Sequence, residues 1–470
     1  MRDVCPVVIV CILDELPVPD FMKLIIVKFY GLAMVAVAVA FGSLRASDVE
    51  STSTGSTNLP AATNEMTIDA LVQEALEKNP ELNFYRAEIA AAKGERRTAG
   101  TIANPELSSQ VGVRRSQDPQ SGLAGEGRAW SVSVLQTFEY PGRLALRKAI
   151  ADRQIELAEL GYAQFRAALA ARTRALAYAV FVAQETAAVA REVADRFTAL
   201  SEVVMQRDPA GVSPLLEMRI LEANAITVQR HASETMQTAR AALIELNQLR
   251  GQPLSTLTRI TETQFAFRAP EALESLVEQA RSNSFELRIR QVELAQQGVK
   301  LSLVKNEQYP AVAIGPQYSE AQSGSIGEKE RIIGVGISVP LPLWNRNGGN
   351  IETAKARQQQ AETSFALTQR EVERKVIENA TAYEAKLAEM SRWRPSAVEE
   401  LREAAELADR HYRLGAVAVA TYAELQKQYL EAVEAMLDTK KEALQAAQEL
   451  EILTGHSFYN VEAPKKDQPP

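Results

Sequence analysis

Few side chains in this sequence have the types and spacing that metal binding or catalysis requires. The three histidines, His231, His411 and His456, are far apart, and no His-x-x-x-His spacing occurs. The two cysteines, Cys5 and Cys11, both precede residue 12. Transition-metal sites need several imidazole or thiolate ligands in one place. The sequence therefore predicts no metal site and no cofactor, and His411 is interpreted as a surface histidine.

Carboxylates are plentiful, but their spacing is that of helix surfaces. The cluster of Glu399, Glu400, Glu403 and Glu406 is typical of the solvated face of a helix. No phosphate-binding loop, nucleophile elbow or catalytic triad pattern occurs, so we predict no catalytic residues and no enzyme. The net charge of -8 also makes nucleic acid a poor partner.

The elements that could position functional side chains are written twice. Five landmarks recur at a nearly constant displacement of 203 to 205 residues: Asn79 and Asn283, Pro105 and Pro310, Arg143 and Arg346, Gly211 and Gly415, Gly251 and Gly455. Each copy runs through a short helix, a helix, a strand, a polar loop, a strand, a very long helix, a glycine turn, a long helix and a final glycine. The pattern predicts a first repeat over residues 65–255 and a second over residues 256–456.

The segment before the repeats has the pattern of an export signal. Two lysines precede the apolar run 31–41, and a small residue, Ala46, marks a cleavage position. We assign residues 1–46 to a signal peptide, with translation from Met22 as an alternative start. A membrane anchor is the other interpretation, but the apolar run is about half of the roughly 20 residues needed to span a bilayer. Residues 47–64 are predicted to be a polar linker and residues 457–470 a polar tail.

Four segments alternate with period two and predict strands over about 105–115, 128–140, 311–320 and 331–341. Each is about ten residues long, which suits a tilted transmembrane strand; surface hairpins on a soluble domain are the alternative. A closed sheet needs about eight strands, and an unpaired sheet edge is forbidden in lipid. If these strands enter a membrane, the protein must oligomerise.

Two helical hairpins are predicted over residues 143–250 and 349–454. Apolar residues recur every seven positions, which indicates coiled-coil packing: Ile155, Tyr162, Leu169, Leu176, Ala183, Ala190, Phe197 and Val204 in the first hairpin; Tyr422, Tyr429, Met436, Ala443 and Leu450, with Leu425, Ala432, Thr439, Ala446 and Leu453, in the second. The tips at Gly211 and Gly415 should lie about 90 to 100 Å from the strands by helix rise. Pro395 should kink the second hairpin near Arg392.

Together these patterns resemble the outer membrane factor family of TolC-like outer membrane efflux proteins, over residues 67–455. The junction tract 339–351, with Pro340, Asn345, Arg346 and Gly349, is similar to the strand-to-helix junction of the cobalt-zinc-cadmium branch, as is the first tip, 211–214. The resemblance implies a mainly α fold with a transmembrane β-barrel. Three copies would together form one twelve-stranded barrel and a periplasmic helical tunnel.

The resemblance also implies functional positions at the tunnel end. Tyr412 matches a family tyrosine three residues before the tip glycine, and Glu424 matches the second of two acids that follow it. Thr421 replaces the first acid, and Val417 stands where the type member has a basic residue, so a charge-locked closure is in doubt. Three Glu424 carboxylates would form a ring that favours cations. A solvated carboxylate at Glu424 and hairpin packing at Tyr412 are the alternatives.

The family resemblance implies partners as well. The tips, with Gly211, Val212, Ser213, Leu414 and Gly415, would contact a periplasmic adaptor, which links the duct to an inner-membrane transporter of the RND type. We expect a homotrimer in the outer membrane lipid of a Gram-negative cell, with a large periplasmic part, that passively exports divalent heavy-metal cations. A multidrug or type I secretion channel is the nearest alternative. A soluble periplasmic coiled-coil scaffold is an alternative of another class.

Overall fold

The computed structural model describes residues 64–118, 122–207, 212–261, 264–323, 328–394 and 396–462. The predicted signal peptide and nearly all of the polar linker lie outside these residues. So do Gly211, Pro395 and the end of the predicted tail.

Long helices dominate the described chain. They are α1 (Ile68–Lys78), α2 (Glu81–Ala99), α3 (Arg143–Arg207), α4 (Val212–Leu249), α5 (Leu273–Asn283), α6 (Phe285–Asn306), α7 (Gly348–Ser391), α8 (Ala397–Arg413) and α9 (Val419–Thr454). The strands are β1 (Asn64–Met66), β2 (Glu106–Asp118), β3 (Gly122–Phe138), β4 (Thr258–Ile260), β5 (Gln264–Phe267), β6 (Val312–Ser323), β7 (Glu328–Ser338) and β8 (Tyr459–Glu462). This confirms the predicted fold class.

The residues of the predicted seven-residue series are shielded from solvent in both hairpins. In α3 the side chains of Leu169, Ala183, Ala190, Phe197 and Val204 are buried, and in α9 the same holds for Tyr422, Tyr429, Ala443 and Leu450. Thr439, Ala446 and Leu453 of the second series in α9 are buried as well. The remaining members of the predicted series are half-buried, and none is exposed. The coiled-coil pattern therefore identified the packed seams. Small residues such as Ala183 and Ala190 let the helices approach closely.

No helix among the described residues is long and apolar enough to cross a membrane.

The second hairpin is interrupted where a kink is predicted. Helix α7 ends at Ser391, with Arg392 as its C-cap, and α8 begins at Ala397. Pro395 itself lies outside the described residues. The first copy has no such break, because α3 runs through 65 residues to Arg207.

The four long strands form one antiparallel sheet in the order β2-β3-β6-β7. Strands β2 and β3 form the hairpin of the first repeat, and β6 and β7 form that of the second. Strands β3 and β6 join the two repeats, with Val132 opposite Tyr318. Each of the two outer strands, β2 and β7, has only one neighbour among the described strands. In the described part of one chain, the sheet is thus open at both edges.

Four short strands were missed by the sequence analysis. Strand β1 pairs with β4 in parallel, and β5 pairs with β8 in antiparallel orientation. They belong to the largest apolar core, in which Phe458 and Tyr459 are buried. The prediction of a polar tail from residue 457 is therefore wrong for its first residues. Strands of three or four residues carry too little alternation to be recognised.

The repeated landmarks at the helix ends are caps. The Asn79 side chain donates to the backbone oxygen of Leu249 at 2.9 Å, and the Asn283 side chain donates to that of Thr454 at 2.7 Å. Each bond satisfies a carbonyl at the end of a long helix, where no partner within the helix is available. Gly251 has φ of +63° just beyond, a conformation that glycine adopts without strain. These residues recur in both repeats because they stabilise the ends of the long helices.

A buried ion pair holds the start of the first repeat against the end of α4. Glu74 binds Arg250 at 2.5 Å, and the Arg250 side chain is almost completely covered. Burial alone would raise the pKa of Glu74, but hydrogen bonds from Lys78, Arg250 and Gln252 together hold this pKa below its usual value. The carboxylate is therefore stabilised in its charged form.

Candidate functional site

The tip of the second hairpin is a short turn between α8 and α9. Gly415 has φ of +78°, and its N–H donates to the oxygen of Tyr412 at 2.9 Å, while the Ala416 N–H donates to that of His411 at 2.9 Å. This pattern closes the end of α8 and requires a left-handed residue. Leu414 beside it is 79% exposed, so the turn presents an apolar side chain at its end.

Tyr412 connects the two hairpins near this tip. Its ring is only 3% exposed and stacks on Tyr422 with 5.3 Å between centroids. Its hydroxyl donates to Glu217 Oε2 at 3.0 Å, and Glu217 lies on α4 of the first hairpin. Tyr412 therefore both packs within its own hairpin and hydrogen-bonds to the other, so a separation of the hairpins here would break this contact.

Tyr422, which lies under Tyr412, has no counterpart to that bond. Its ring is fully buried and packs edge-on against Phe197, with 5.5 Å between centroids. Within the described residues, its hydroxyl and the neighbouring Asp409 Oδ1 are buried without a hydrogen-bond partner. Burial raises the pKa of Tyr422, and the charge of Asp409 raises it further. Sequence reasoning counted Tyr422 only as a seam residue.

Thr421 and Glu424 lie on the face of α9 opposite to Tyr422. Both are exposed, whereas Tyr422, Ala423 and Gln426 between and beside them are buried. Glu424 Oε1 accepts a hydrogen bond from Gln428 at 2.9 Å. Glu424 is the one carboxylate in the predicted aperture set, so a carboxylate ring could form only between copies of the chain.

The first tip is described only in part. Gly211 lies outside the described residues, and α4 begins at Val212 and continues through Ser213. Just beyond, Leu215 and Leu216 are exposed apolar residues that the sequence analysis did not select. Both hairpins therefore carry exposed leucines near their turns.

The strand-to-helix junctions differ from the predicted correspondence. Arg143 is buried and donates to Asn306 Oδ1 at 3.1 Å and to the oxygen of Tyr309 at 2.7 Å, whereas Arg346 is exposed. The two are not structural equivalents, although they were paired as landmarks.

The equivalent residues at the two junctions are Gly142 and Asn347. Both have positive φ, +86° and +64°, and both accept the first helical hydrogen bond, Leu146 N to Gly142 O at 3.0 Å and Ile351 N to Asn347 O at 3.1 Å. The displacement here is 205 residues, counted from 142 to 347, and the arginine pairing is wrong by two. Asparagine tolerates this left-handed conformation better than other residues with a side chain.

The remaining predicted junction residues lie around Asn347. Asn345 accepts from the Asn347 N–H at 2.9 Å, and the Asn347 side chain donates to the oxygen of Val304 at 2.9 Å. Pro340 and Gly349 are exposed. The tract lines a cavity of about 380 Å³ that also includes Glu307, and Trp344 beside it is 94% exposed.

The two faces of the four-stranded sheet have opposite character. Along each strand, alternate residues point to opposite sides. One face carries large apolar side chains that are between 39% and 87% exposed: Leu107, Val111, Val113, Trp130, Val134, Ile333, Val335 and Ile337. The other carries mostly small or polar residues, with Ile332 as an exposed apolar exception: Gln110, Gly112, Ser131, Ser133, Gln317, Ser319, Gly334 and Gly336. An exposed apolar surface of this extent is expected to contact lipid.

Charged and aromatic side chains lie toward the two ends of the strands. On the polar face, Arg114 of β2 and Glu330 of β7 form an ion pair. Trp130 and Tyr318 pack at 5.1 Å between ring centroids, and Tyr140 stacks on Tyr309 at 4.3 Å beyond the other end of the strands. Aromatic rings are favoured at the two levels where a membrane meets water. Sequence reasoning did not predict these ring pairs, because each pair joins residues far apart in the chain.

A lipid-facing sheet with a polar inner side, continued by paired helical hairpins, defines an outer membrane channel with a periplasmic part. Comparison with known proteins agrees. Residues 276–456 match the family model described as "Outer membrane efflux protein". The second repeat thus contains an outer membrane efflux protein domain, the fold is TolC-like, and the protein is located in the outer membrane of the cell.

Two curated relatives and one solved structure give the extent of the similarity. The cobalt-zinc-cadmium resistance protein CzcC of Cupriavidus metallidurans is 25% identical over 338 residues, which cover 70% of this chain and 76% of the relative. The pyoverdine export outer membrane protein OpmQ of Pseudomonas aeruginosa is 22% identical over 404 residues, 81% of this chain and 83% of the relative. The transmembrane channel CusC superposes with a TM-score of 0.65 at 14% identity, over 87% of this chain and 99% of that chain.

Proposed function

We propose that this protein is the homotrimeric exit duct of a tripartite efflux pump and that it exports divalent heavy-metal cations. One observation carries the proposal: a four-stranded sheet with an apolar outer face has both edges open in the described chain. Four strands are too few to close around a polar interior, and lipid does not tolerate open edges. Three copies would supply twelve strands and remove every edge.

The helical hairpins would continue the pore into the periplasm. Transport through the duct would be passive, and the energy would come from an inner-membrane transporter of the RND type. A periplasmic adaptor would contact the tips at Gly211, Val212, Ser213, Leu414 and Gly415. The exposed leucines Leu215 and Leu216 support this assignment, because exposed apolar side chains at a projecting end favour a protein partner.

The hydrogen bond from Tyr412 to Glu217 would hold the periplasmic end closed. It joins the two hairpins near the tip, and an opening that separates them there would break it. Thr421 cannot add a charge to this closure, so the closed state would depend on the tyrosine contact and on packing. The exposed Glu424 would line the aperture and, in three copies, favour cations.

Metal cations as the substrate rest on the junction tract and on one relative. CzcC carries cobalt-zinc-cadmium resistance in its name, and the tract with Pro340, Asn345, Arg346 and Gly349 was assigned to the same branch. OpmQ, which is named for pyoverdine export, favours the second candidate, a channel for organic compounds.

A deletion strain tests the substrate. We expect reduced tolerance of zinc, cobalt or cadmium, restored by the gene in trans. Unchanged metal tolerance together with loss of tolerance to organic compounds would select the second candidate.

The mass of the detergent-extracted protein tests the assembly. A trimer in the outer membrane fraction is expected. A monomer in the soluble periplasmic extract would instead identify a coiled-coil scaffold.

A further inference from the structure

The contact between the two repeats within one chain indicates how the open edges of the sheet could pair with another chain. Within one chain, β3 of the first repeat pairs with β6 of the second. In a ring of copies that preserves this arrangement, β7 of one subunit meets β2 of the next, and these strands are the repeat equivalents of β3 and β6. The contact between repeats inside the chain therefore predicts the contact between chains.

The prediction depends on the displacement that relates the two repeats. In the first hairpin Ser109 lies opposite Val132, and in the second Ile314 lies opposite Ile337. Adding 205 to each number converts the first pair into the second. The same displacement relates Gly142 to Asn347 at the junctions and Pro105 to Pro310 before the strands.

The displacement suggested by the two arginines gives a different answer. From Arg143 to Arg346 it is 203, which would convert the pair Ser109–Val132 into Val312–Val335, whereas Val335 lies opposite Pro316. Because the observed hairpin register excludes 203, the arginine correspondence cannot be used for the strands.

We propose that β7 of one subunit pairs with β2 of the partner subunit in the register of the internal β3–β6 contact. This inference rests on the proposed function, since it needs copies arranged in a ring. The internal pair Val132–Tyr318 becomes Ile337 opposite Val113 of the partner subunit. The internal pair Ser133–Gln317 becomes Ser338 opposite Gly112 of the partner subunit.

The surfaces brought together are chemically matched. Ile337 is 68% exposed and Val113 is 64% exposed in the single chain, and both lie on the apolar face. On the inner face, a side chain added at Gly112 meets nothing within 4 Å. A slip by one residue would turn every side chain of β2 to the other face. A slip by two keeps the faces but places Ile337 opposite Val111, so an experiment must separate these two registers.

Disulfide trapping in the full-length protein can separate them. The described residues contain no cysteine, so introduced pairs report without background from this region. We expect Ile337→Cys with Val113→Cys, or Ser338→Cys with Gly112→Cys, to give covalent oligomers on non-reducing gels of oxidised outer membranes. Directly opposite residues lie about 4.5–5.5 Å apart between Cα atoms, within disulfide range. The two neighbouring pairs include one close, non-hydrogen-bonded pair.

The matched control is Ile337→Cys with Val111→Cys. In the proposed register these residues are diagonal, at about 7–8 Å, where a disulfide forms poorly. We expect at least about tenfold less covalent oligomer from this pair, by the same geometric limit. Each single-cysteine variant should give none.

The outcomes distinguish the two proposals. If the control pair cross-links better than Ile337–Val113, or if no pair cross-links while the native mass is that of a trimer, the register is wrong and the channel proposal stands. If neither the variants nor the unmodified protein forms oligomers, the proposed function fails and the register fails with it.

Discussion

Removing the Tyr412 hydroxyl should loosen the periplasmic end without disturbing its packing. In Tyr412→Phe the ring still stacks on Tyr422, but the bond to Glu217 at 3.0 Å is lost. A hydrogen bond to a charged group contributes about 1.5–3 kcal/mol to stability. Glu217 is only half-buried, so water replaces part of this, and we expect a net loss of about 1–1.4 kcal/mol. That shifts the balance toward the open state about five- to tenfold.

Single-channel recording in planar bilayers measures this shift. The open probability of the Tyr412→Phe protein should rise by about that factor at neutral pH. Glu217→Ala should have a similar effect, because it removes the other partner of the same bond. The double variant should add little to either single variant, as expected for two changes that break one interaction.

Tyr422→Phe is the matched control. It also removes one tyrosine hydroxyl near the tip, but that hydroxyl has no hydrogen-bond partner among the described residues. We expect its open probability to stay unchanged, and the loss of a buried unpaired polar group should leave stability equal or slightly higher. If Tyr422→Phe opens the channel as much as Tyr412→Phe, or if Tyr412→Phe has no effect, the Tyr412–Glu217 contact does not hold the closed state.

Three further changes test the caps, the ion pair and the aperture. Gly251→Ala should lower thermal stability more than Gly415→Ala. Both glycines have positive φ, but a Cβ at Gly251 would lie 2.8 Å from a backbone oxygen, while Gly415 has open space. Gly415→Ala should therefore cost only about 1 kcal/mol, and equal melting temperatures of the two variants would contradict the geometry. Because the folded-state pKa of Glu74 lies below its usual value, its contribution is present above the unfolded pKa and is lost as the pH falls through the folded one. Glu74→Gln should therefore destabilise the protein at neutral pH and reduce the loss of stability on acidification below about pH 4.5, which denaturant unfolding at several pH values measures; an unchanged acid limb would argue against this account. Glu424→Gln should lower cation preference in reversal-potential measurements, and unchanged selectivity would remove the carboxylate ring from the aperture.

Periodicity in the sequence was sufficient to predict the long elements. The seven-residue series from Ile155 to Val204 predicted the packed seam of α3, because a coiled coil buries one stripe and repeats it many times. The alternation around Trp130 and Ile333 predicted strands for the same reason with period two. Signals of this kind accumulate over ten or more residues, and they do not depend on what the element contacts.

The short strands and the junction correspondence could not be obtained in this way. Strand β8 became visible only through its pairing with β5, since four residues do not establish a period. The matching arginines, Arg143 and Arg346, suggested an equivalence that the positive φ of Gly142 and Asn347 corrects by two residues. Identity of residue type is a weak guide at positions where the backbone conformation, and not the side chain, restricts which residue fits.

The sequence by itself determined the duplicated plan, the seam residues and the positions of the turns, because these follow from local periodicity and from glycine and proline chemistry. Only the tertiary structure decided which groups meet across the repeats: Tyr412 with Glu217, Glu74 with Arg250, and Val132 with Tyr318. These contacts join residues between 176 and 195 positions apart along the chain, and their geometry depends on how whole helices and strands are aligned. That alignment is a property of the packed protein, and no local pattern encodes it.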